Sequence, residues 1–174
     1  EGQALVDGKW VSGKTALRKK GLKPIQLEAK EGLALINGVQ ISLAMLSSAL
    51  LLSRSVVDAA DVTAAVSLEG LLGSVQPFDA RIHEVRPHPG QSLVAGHLRS
   101  LLSGSKIVAS HVDCDRVQDP YSLRCTPQVH GAVRDAINWI EQIVEREANS
   151  STDNPLIFSE SGEVLSGGNF HGAP

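Results

Sequence analysis

Val129-His-Gly-Ala-Val-Arg-Asp-Ala-Ile-Asn-Trp-Ile-Glu-Gln-Ile-Val-Glu-Arg-Glu-Ala148 is the stretch that decides the fold class. Its apolar residues recur at three- and four-residue spacing, which places them in one stripe along an α-helix. A stripe of this kind is stable only when other elements cover it. The stretch therefore predicts one long helix of a larger helical structure, and its apolar stripe consists of Val129, Ala132, Val133, Ala136, Ile137, Ile140, Ile143 and Val144.

A second segment, residues 32–53, contains no charged residue, so a membrane span has to be considered. Polar residues such as Asn37 and Gln40 interrupt it, and the apolar runs between them fall far short of the roughly 20 residues that a span needs. A helix that is apolar on most sides is typical of the middle of a large helical bundle. We therefore expect helices over 41–57 and 61–70, and no membrane partner.

The remaining sequence predicts shorter elements joined by irregular loops. Prolines make residues 78–90 a loop, after which 91–102 resume a helical pattern. Residues 156–158 and 163–165 flank a Ser-Gly turn and predict a small β-hairpin. The predicted fold class is mainly α: long helices of a large helical bundle with irregular loops and a small β-hairpin.

We expect residues 1–174 to form a single segment of one helical domain. It would consist of an irregular N-terminal stretch (1–23), a helical core (24–150), and a turn, hairpin and site loop (151–174). A segment of this length cannot bury all of its apolar stripes by itself. Further helices, from missing parts of the protein or from other subunits, should cover the rest.

Charge and cysteine content exclude several classes of function. The 174 residues carry a formal net charge of −3, with a pI of about 6.1, so we expect no nucleic-acid partner. The two cysteines match neither a metal-binding spacing nor a disulfide framework, which is typical of a reduced, cytoplasmic protein. The irregular spacing of His83, His88 and His97 favours hydrogen-bonded structural histidines, and no metal site is predicted.

The chemistry is most specific in Val117-Gln-Asp-Pro-Tyr-Ser-Leu-Arg-Cys125. An amide, a phenol and a guanidinium recur there at every third residue, on Gln118, Tyr121 and Arg124. A short helix starting here would turn the three side chains to one side.

The residues around this run set the expected limits of the short helix. Asp119 suits its N-cap and Pro120 its first position. Pro127 disfavours helix at the residue before it, so the segment should be short or kinked. On these residues alone, a capped turn with a packed Tyr121 and an exposed Arg124 is an equally good interpretation.

Three further runs accompany this one in a fixed order. They are Lys30-Glu-Gly-Leu-Ala-Leu-Ile-Asn-Gly38, Phe78-Asp-Ala-Arg-Ile-His-Glu-Val-Arg-Pro-His-Pro-Gly-Gln91, and Ser151-Thr-Asp-Asn-Pro155 followed by Leu165-Ser-Gly-Gly-Asn-Phe-His-Gly172. Together the runs resemble the aromatic amino acid ammonia-lyase family, and within it the branch that acts on histidine. The resemblance covers nearly the whole chain.

The resemblance implies removal of ammonia from an aromatic amino acid, which gives urocanate when the substrate is L-histidine. The family's electrophile is a methylidene-imidazolone ring (MIO), made when an internal Ala-Ser-Gly cyclises and loses water. Carried over to the matching positions, Asn37 would lie beside the ring and the substrate, Gln118 would hold the surrounding hydrogen-bond network, and Tyr121 would take part in proton transfer. Arg124 would bind the substrate carboxylate, and Phe170 would pack near the ring and the aromatic side chain.

No Ala-Ser-Gly occurs in this sequence. The resemblance implies that the triad lies upstream and that the chain is the central part of a longer polypeptide, so alone it should be inactive. The resemblance also implies a homotetramer whose active sites draw on three subunits. The alternatives are a catalytically inert helical oligomerisation fragment, or a tyrosine or phenylalanine ammonia-lyase or aminomutase on the same scaffold.

The residue types suit these roles chemically. The planar guanidinium of Arg124 can bind a carboxylate through two hydrogen bonds and stays charged. A phenol has an unperturbed pKa of about 10, so Tyr121 should lie within hydrogen-bond reach of a cation or of the cofactor, unless a second tyrosine elsewhere is the principal base. Asn37 precedes Gly38, a pair that as often marks a turn. By the resemblance, Asn37 donates a hydrogen bond to an oxygen that gains negative charge.

Overall fold

The computed structural model describes residues 2–173 and divides them into two compact units. The first unit contains the chain up to Gly38 together with Asp153–Phe170, and the second contains Val39–Thr152 and the residues from His171 onward. The predicted segment, 1–174, includes Glu1 and Pro174, which lie outside the described residues. Its subdivision after residues 23 and 150 stays a prediction.

Helices dominate the described part of the chain, which confirms the mainly α fold class. In chain order the elements are β1 (Gln3–Val6), β2 (Lys9–Ser12), α1 (Gly13–Lys19), α2 (Glu31–Ala34), α3 (Gln40–Gly70), a 3₁₀ helix (Gln76–Phe78), α4 (Ala80–Glu84), α5 (Pro89–Leu101), α6 (Lys106–Ala109), α7 (Tyr121–Arg124), α8 (Thr126–Ala148), β3 (Leu156–Phe158) and β4 (Glu163–Leu165).

The longest helix, α3, runs for 31 residues without a break. The prediction of two helices, over 41–57 and 61–70, was wrong at the junction. Asp61 suits a helix cap, but residues 58–60 are Asp-Ala-Ala and contain nothing that interrupts a helix. Within residues 2–173, α3 is also the one helix long and apolar enough to cross a membrane, with a mean hydropathy of 1.4 in its most apolar window.

Ion pairs nevertheless join α3 to α8. Arg54 pairs with Glu141 of α8, and Asp58 pairs with Arg134 at 2.8 Å. Charged contacts along one side of the helix and apolar contacts along another are typical of a helix inside a bundle.

Two apolar clusters form the core of the second unit. In the first, α3, α5 and the 3₁₀ helix meet around Leu68, Phe78 and Leu98, all buried. The second cluster joins α3 to α8. The predicted stripe of α8 supplies its Ile137 and Val144 to this cluster, so that part of the pattern identified the buried face correctly. The members of the second cluster are Leu50, Val57, Ile137 and Val144.

Glycines allow α5 and α8 to cross in direct backbone contact. A Cβ atom built on Gly131 would lie 2.3 Å from the backbone nitrogen of Gln91, and one built on Gly90 would lie 2.1 Å from the carbonyl oxygen of Gly131. Neither distance is compatible with a side chain, so only glycine fits at either position. The backbone nitrogen of Gly90 also donates to Asp135 Oδ1 at 2.8 Å, which ties the start of α5 to α8.

The prolines interrupt the helices less than the sequence predicted. Residues 78–90, predicted as a loop, contain the short helix α4, because the carboxylate of Asp79 accepts a hydrogen bond from Arg81 N at 3.0 Å and caps its first turn. Pro127 lies in the first turn of α8, where a backbone N–H has no helical partner. Helix α8 therefore begins at Thr126, three residues before the predicted start.

The first unit corrects the prediction that residues 1–23 are irregular. Strands β1 and β2 form an antiparallel hairpin whose Asp7-Gly8 turn has φ values of 52° and 74°, the left-handed conformations that a tight hairpin turn favours. Helix α1 follows directly, capped by Ser12, whose hydroxyl accepts from Thr15 N. The predicted second hairpin is confirmed: β3 and β4 pair antiparallel from Leu156 to Leu165.

Candidate active site

The short helix α7 carries the predicted site run, but its start differs from the prediction. Pro120, in an extended conformation, occupies the N-cap position, and Asp119 is not the cap. The Asp119 carboxylate instead accepts a hydrogen bond from Ser74 N at 2.6 Å and lies 3.6 Å from the guanidinium of Arg116. A buried carboxylate with these two partners anchors the loop before α7 to the segment that follows α3.

Gln118, Tyr121 and Arg124 line one open concavity of about 590 Å³. Gln118 precedes the helix, whereas the other two residues belong to α7. Arg116 lines the same concavity, and sequence reasoning missed it. The signal that could have revealed it is its spacing of three residues before Asp119, a distance at which opposite charges often pair.

The guanidinium group of Arg124 is fixed through its Nε atom, whereas its terminal nitrogens are unpaired among the described residues. Its Nε donates to the carbonyl oxygen of Asp119 at 2.8 Å, and its guanidinium carbon lies 5.6 Å from the centre of the Tyr121 ring. Its two terminal nitrogens have no hydrogen-bond partner within residues 2–173. A guanidinium fixed in this way presents a planar pair of donors, which matches the geometry of a carboxylate.

Tyr121 projects from α7 with 72% of its surface exposed. No described residue forms a hydrogen bond with its hydroxyl group. The expected cation is present, but Arg124 lies over the face of the ring rather than beside the hydroxyl. The contact fixes the ring by a cation–π interaction and leaves the hydroxyl accessible.

A narrower cavity of about 370 Å³ is also lined by Gln118 and Arg124. Val108, His111 and Cys114 contribute to its wall, together with the segment after α3. Gln118 and Arg124 therefore line both the wide concavity and this more enclosed cavity of the second unit.

Asn37 belongs to the first unit and contacts the segment before β3. Its amide nitrogen donates to Asp153 Oδ1 at 3.0 Å and to the carbonyl oxygen of Asn154 at 3.1 Å. The ammonium group of Lys30 pairs with the other carboxylate oxygen of Asp153. Hydrogen bonds from Lys30 and Asn37 lower the pKa of the Asp153 carboxyl below its ordinary value. Sequence reasoning missed both Lys30 and Asp153.

Phe170 lies at the end of the loop that follows β4 and is 43% exposed. Gly167 in this loop donates its backbone N–H to Asn154 Oδ1 at 2.8 Å. Asn154 thus contacts both Asn37 and the loop that ends in Phe170. The first unit holds these two predicted site residues, and the second unit holds the other three.

Two histidines of the second unit, His97 and His130, share one buried carboxylate as their hydrogen-bond partner. His97 Nδ1 and His130 Nδ1 lie 2.9 Å and 2.7 Å from the carboxylate of the fully buried Asp61, which Arg134 also contacts at 2.6 Å. Burial alone would raise the pKa of Asp61, but these three hydrogen bonds outweigh it and lower the pKa. Within the described residues, no group of three or more His, Cys, Asp or Glu side chains could hold a metal ion.

Comparison with known proteins gives consistent matches along the chain. The family model for aromatic amino acid lyases matches residues 1–174. The histidine ammonia-lyase of Myxococcus xanthus (strain DK1622) is 55% identical over 174 residues, which is 100% of this chain and 34% of that protein. That of Sorangium cellulosum (strain So ce56) is also 55% identical, over 100% of this chain and 35% of that protein.

Solved structures show the same fold. Histidine ammonia-lyase from Trypanosoma cruzi matches with a TM-score of 0.81 and 44% identity, covering 95% of this chain and 30% of that one. Pantoea agglomerans phenylalanine aminomutase matches with a TM-score of 0.87 and 35% identity, covering 99% of this chain and 37% of that one. The chain thus spans about a third of the length of the curated relatives that it matches.

Proposed function

Because the chain belongs to the aromatic amino acid lyase family, we propose that it is part of an ammonia-lyase that converts L-histidine to urocanate and ammonia. One observation carries the proposal: Gln118, Tyr121 and Arg124 line a single concavity, and the terminal nitrogens of Arg124 have no hydrogen-bond partner among the described residues. The identities of 55% and 44% to histidine ammonia-lyases, against 35% to the aminomutase, favour histidine as the substrate.

Arg124 binds the carboxylate of the amino acid. The bond from its Nε to Asp119 O sets the plane of the guanidinium, and the Tyr121 ring supports one face. Two parallel N–H···O bonds to a carboxylate then fix both the position and the orientation of the substrate. Holding reacting groups in a fixed orientation lowers the activation barrier by several kcal/mol, and by roughly 7–11 kcal/mol in the most favourable cases.

Tyr121 takes part in proton transfer. Loss of ammonia requires removal of a weakly acidic β-proton, and a base that is held in place lowers this barrier. Tyr121 is exposed and lines the concavity, and its hydroxyl is the only phenol in the sequence. A second tyrosine contributed by another part of the polypeptide could serve as the principal base, with Tyr121 supporting it.

The family uses the MIO group, and the donors of this chain fit such a group. Amide and guanidinium donors around the concavity suit a ring that carries a carbonyl oxygen, and we assign to Gln118, which lines the concavity, the role of holding the hydrogen-bond network of the ring. When bound, the group supplies the electrophile that captures the substrate. Asn37 and Phe170 are proposed to line the same group in the assembled protein. The Ala-Ser-Gly that forms it must come from another part of the polypeptide, because this sequence contains none.

The exposed face of α3 supports a composite site. Ile41, Met45 and Leu52 are 77%, 69% and 68% exposed, which is unusual for large apolar side chains on a helix of this length. We propose that the rest of the polypeptide and the other subunits of a cytoplasmic homotetramer cover this face. The proposal includes no nucleic-acid or membrane partner and no metal. A fragment without those elements would be inactive.

The direct test is an assay of the full-length protein that contains this chain. L-Histidine, L-phenylalanine and L-tyrosine are supplied in turn, and the unsaturated acids are followed by absorbance while β-amino acids are followed by mass spectrometry. We expect urocanate from histidine at a kcat/KM at least tenfold above that for the other two. A β-amino acid product would instead identify an aminomutase. The absence of any product, together with the absence of MIO absorbance, would favour an inert oligomerisation module.

A further inference from the structure

Asp153 lies at the centre of a hydrogen-bond network that the proposed roles of the chain do not use. Its Oδ1 accepts from the amide of Asn37 at 3.0 Å and from the backbone nitrogen of Asn154 at 2.7 Å, and its Oδ2 pairs with Lys30. The side chains of Lys30 and Asp153 are only 22% and 19% exposed. An ion pair this shielded holds its geometry more firmly than one on an open surface.

The network determines which end of the Asn37 amide faces Asp153. An ionised carboxylate can only accept hydrogen bonds, so the nitrogen of the amide must face it. The carbonyl oxygen of Asn154 is a second acceptor, 3.1 Å from the same nitrogen. Two acceptors match the two hydrogens of the amide, and the planar group then turns its own oxygen away from Asp153. The donor role predicted for Asn37 is therefore not the one that this arrangement favours.

Lys30 and Asn37 flank the short helix α2, and Asp153 connects them. Lys30 occupies the N-cap position with a left-handed φ of 69°, and the backbone nitrogen of Asn37 donates to Leu33 O at 2.8 Å just after the last turn. One carboxylate thus contacts residues at both ends of α2. Helix α2 is only four residues long and cannot hold Asn37 in place by itself.

We propose that Asp153, held by Lys30, is a positioning residue that fixes the Asn37 side chain for its role in the active site. This inference rests on the proposed function, because it assumes that Asn37 faces the reacting amino acid.

A double-mutant cycle in the full-length protein tests the inference. Asn37→Ala, Asp153→Asn and the double variant are compared by kcat for urocanate formation, normalised to MIO content. Because a misplaced site residue can cost on the order of a hundredfold in rate, we expect Asp153→Asn to lower kcat by about ten- to a hundredfold. In the Asn37→Ala background, Asp153→Asn should change kcat less than about twofold, since no amide remains to be positioned.

If the losses in kcat of Asn37→Ala and Asp153→Asn multiply in the double variant, the two residues act independently. That result would overturn the inference and leave Asp153 a structural residue. An unchanged kcat in Asn37→Ala would overturn it as well. Glu163→Gln is the matched control: it removes a carboxylate that contacts Ser161 at 2.9 Å in the second hairpin, and it should leave kcat unchanged.

Lys30 variants keep the inference testable if Asp153→Asn does not fold. Lys30→Met removes the ion pair and should reproduce the loss in kcat, whereas Lys30→Arg keeps a cation beside Asp153 and should restore most of the activity. Equal activity of the two variants would contradict the proposal. An unmodified protein that produces no unsaturated acid would refute the proposed function itself, before any variant is compared.

Discussion

Replacing Arg124 by Lys keeps the positive charge and removes the features that the structure assigns to the guanidinium. Lysine has no nitrogen at the position of Nε, so the 2.8 Å hydrogen bond to Asp119 O is lost. Its single ammonium group also offers no planar pair of donors and covers less of the Tyr121 ring. The substrate carboxylate would keep one charged contact in place of two.

The size of the effect follows from the lost contact. A hydrogen bond to a charged group contributes about 1.5–3 kcal/mol. The concavity is open to solvent, so the lower end applies, and about 1.5 kcal/mol corresponds to roughly a tenfold loss in kcat/KM. We expect most of it as a higher KM, because the carboxylate is bound before and during the reaction.

The assay is the initial rate of urocanate formation by the full-length protein across a range of histidine concentrations. Arg116→Lys serves as the comparison, because Arg116 lines the same concavity but already pairs with Asp119 and with Leu71 O. Its effect on KM should be below about threefold. Unchanged KM and kcat in Arg124→Lys, or a larger loss in Arg116→Lys, would refute the assignment of the carboxylate to Arg124.

Three further outcomes are expected of the full-length protein. Tyr121→Phe should lower kcat by more than about tenfold with no loss of thermal stability, because no described residue bonds to the hydroxyl; a smaller loss would remove Tyr121 from the proton path. Asp61→Asn should cost about 3–5 kcal/mol of unfolding free energy in urea titrations, since it breaks a buried ion pair, whereas Asp58→Asn, with its side chain 63% exposed, should cost less than about 1 kcal/mol. Because the pKa of Asp61 is lowered in the folded protein, its contribution to the free energy of unfolding is fully present above its ordinary pKa of 3.8. This contribution is lost as the pH falls through the lowered value. The free energy of unfolding of Asp61→Asn should therefore depend less on pH in this acidic range. Gly131→Ala should destabilise by about 1–3 kcal/mol or more through the 2.3 Å clash, while Gly96→Ala in α5, whose nearest atom is 3.6 Å away, should be neutral or stabilising; equal melting temperatures would contradict the close helix crossing.

Local patterns predicted the parts of the fold that depend on neighbouring residues. The stripe of α8 identified Ile137 and Val144 as buried, and the three-residue spacing of Gln118, Tyr121 and Arg124 anticipated that they would line one concavity. The Asp7-Gly8 turn was also readable, because Asp-Gly between short apolar runs is a hairpin signal. The structure shows a hairpin there, and the prediction of irregular structure overlooked it.

Contacts between distant residues could not be predicted from local patterns. Asp119 suits a helix cap by its neighbours, but its carboxylate bonds to Ser74, 45 residues earlier. Lys30 and Asp153 are 123 residues apart, so no spacing rule relates them. The Asp61 network likewise joins three helices, and its partner His130 is 69 residues away. These three carboxylates hold loops and helices in place, and sequence reasoning assigned none of them that role.

The central claim is that Arg124 binds the carboxylate of an amino acid substrate in the concavity that Gln118 and Tyr121 share. A crystal structure of the full-length protein with an unreactive histidine analogue tests it most directly. We predict both terminal nitrogens of Arg124 at about 2.7–2.9 Å from the carboxylate oxygens, with Nε still bonded to Asp119 O. An analogue whose carboxylate is bound by other residues, with Arg124 facing solvent, would contradict the account.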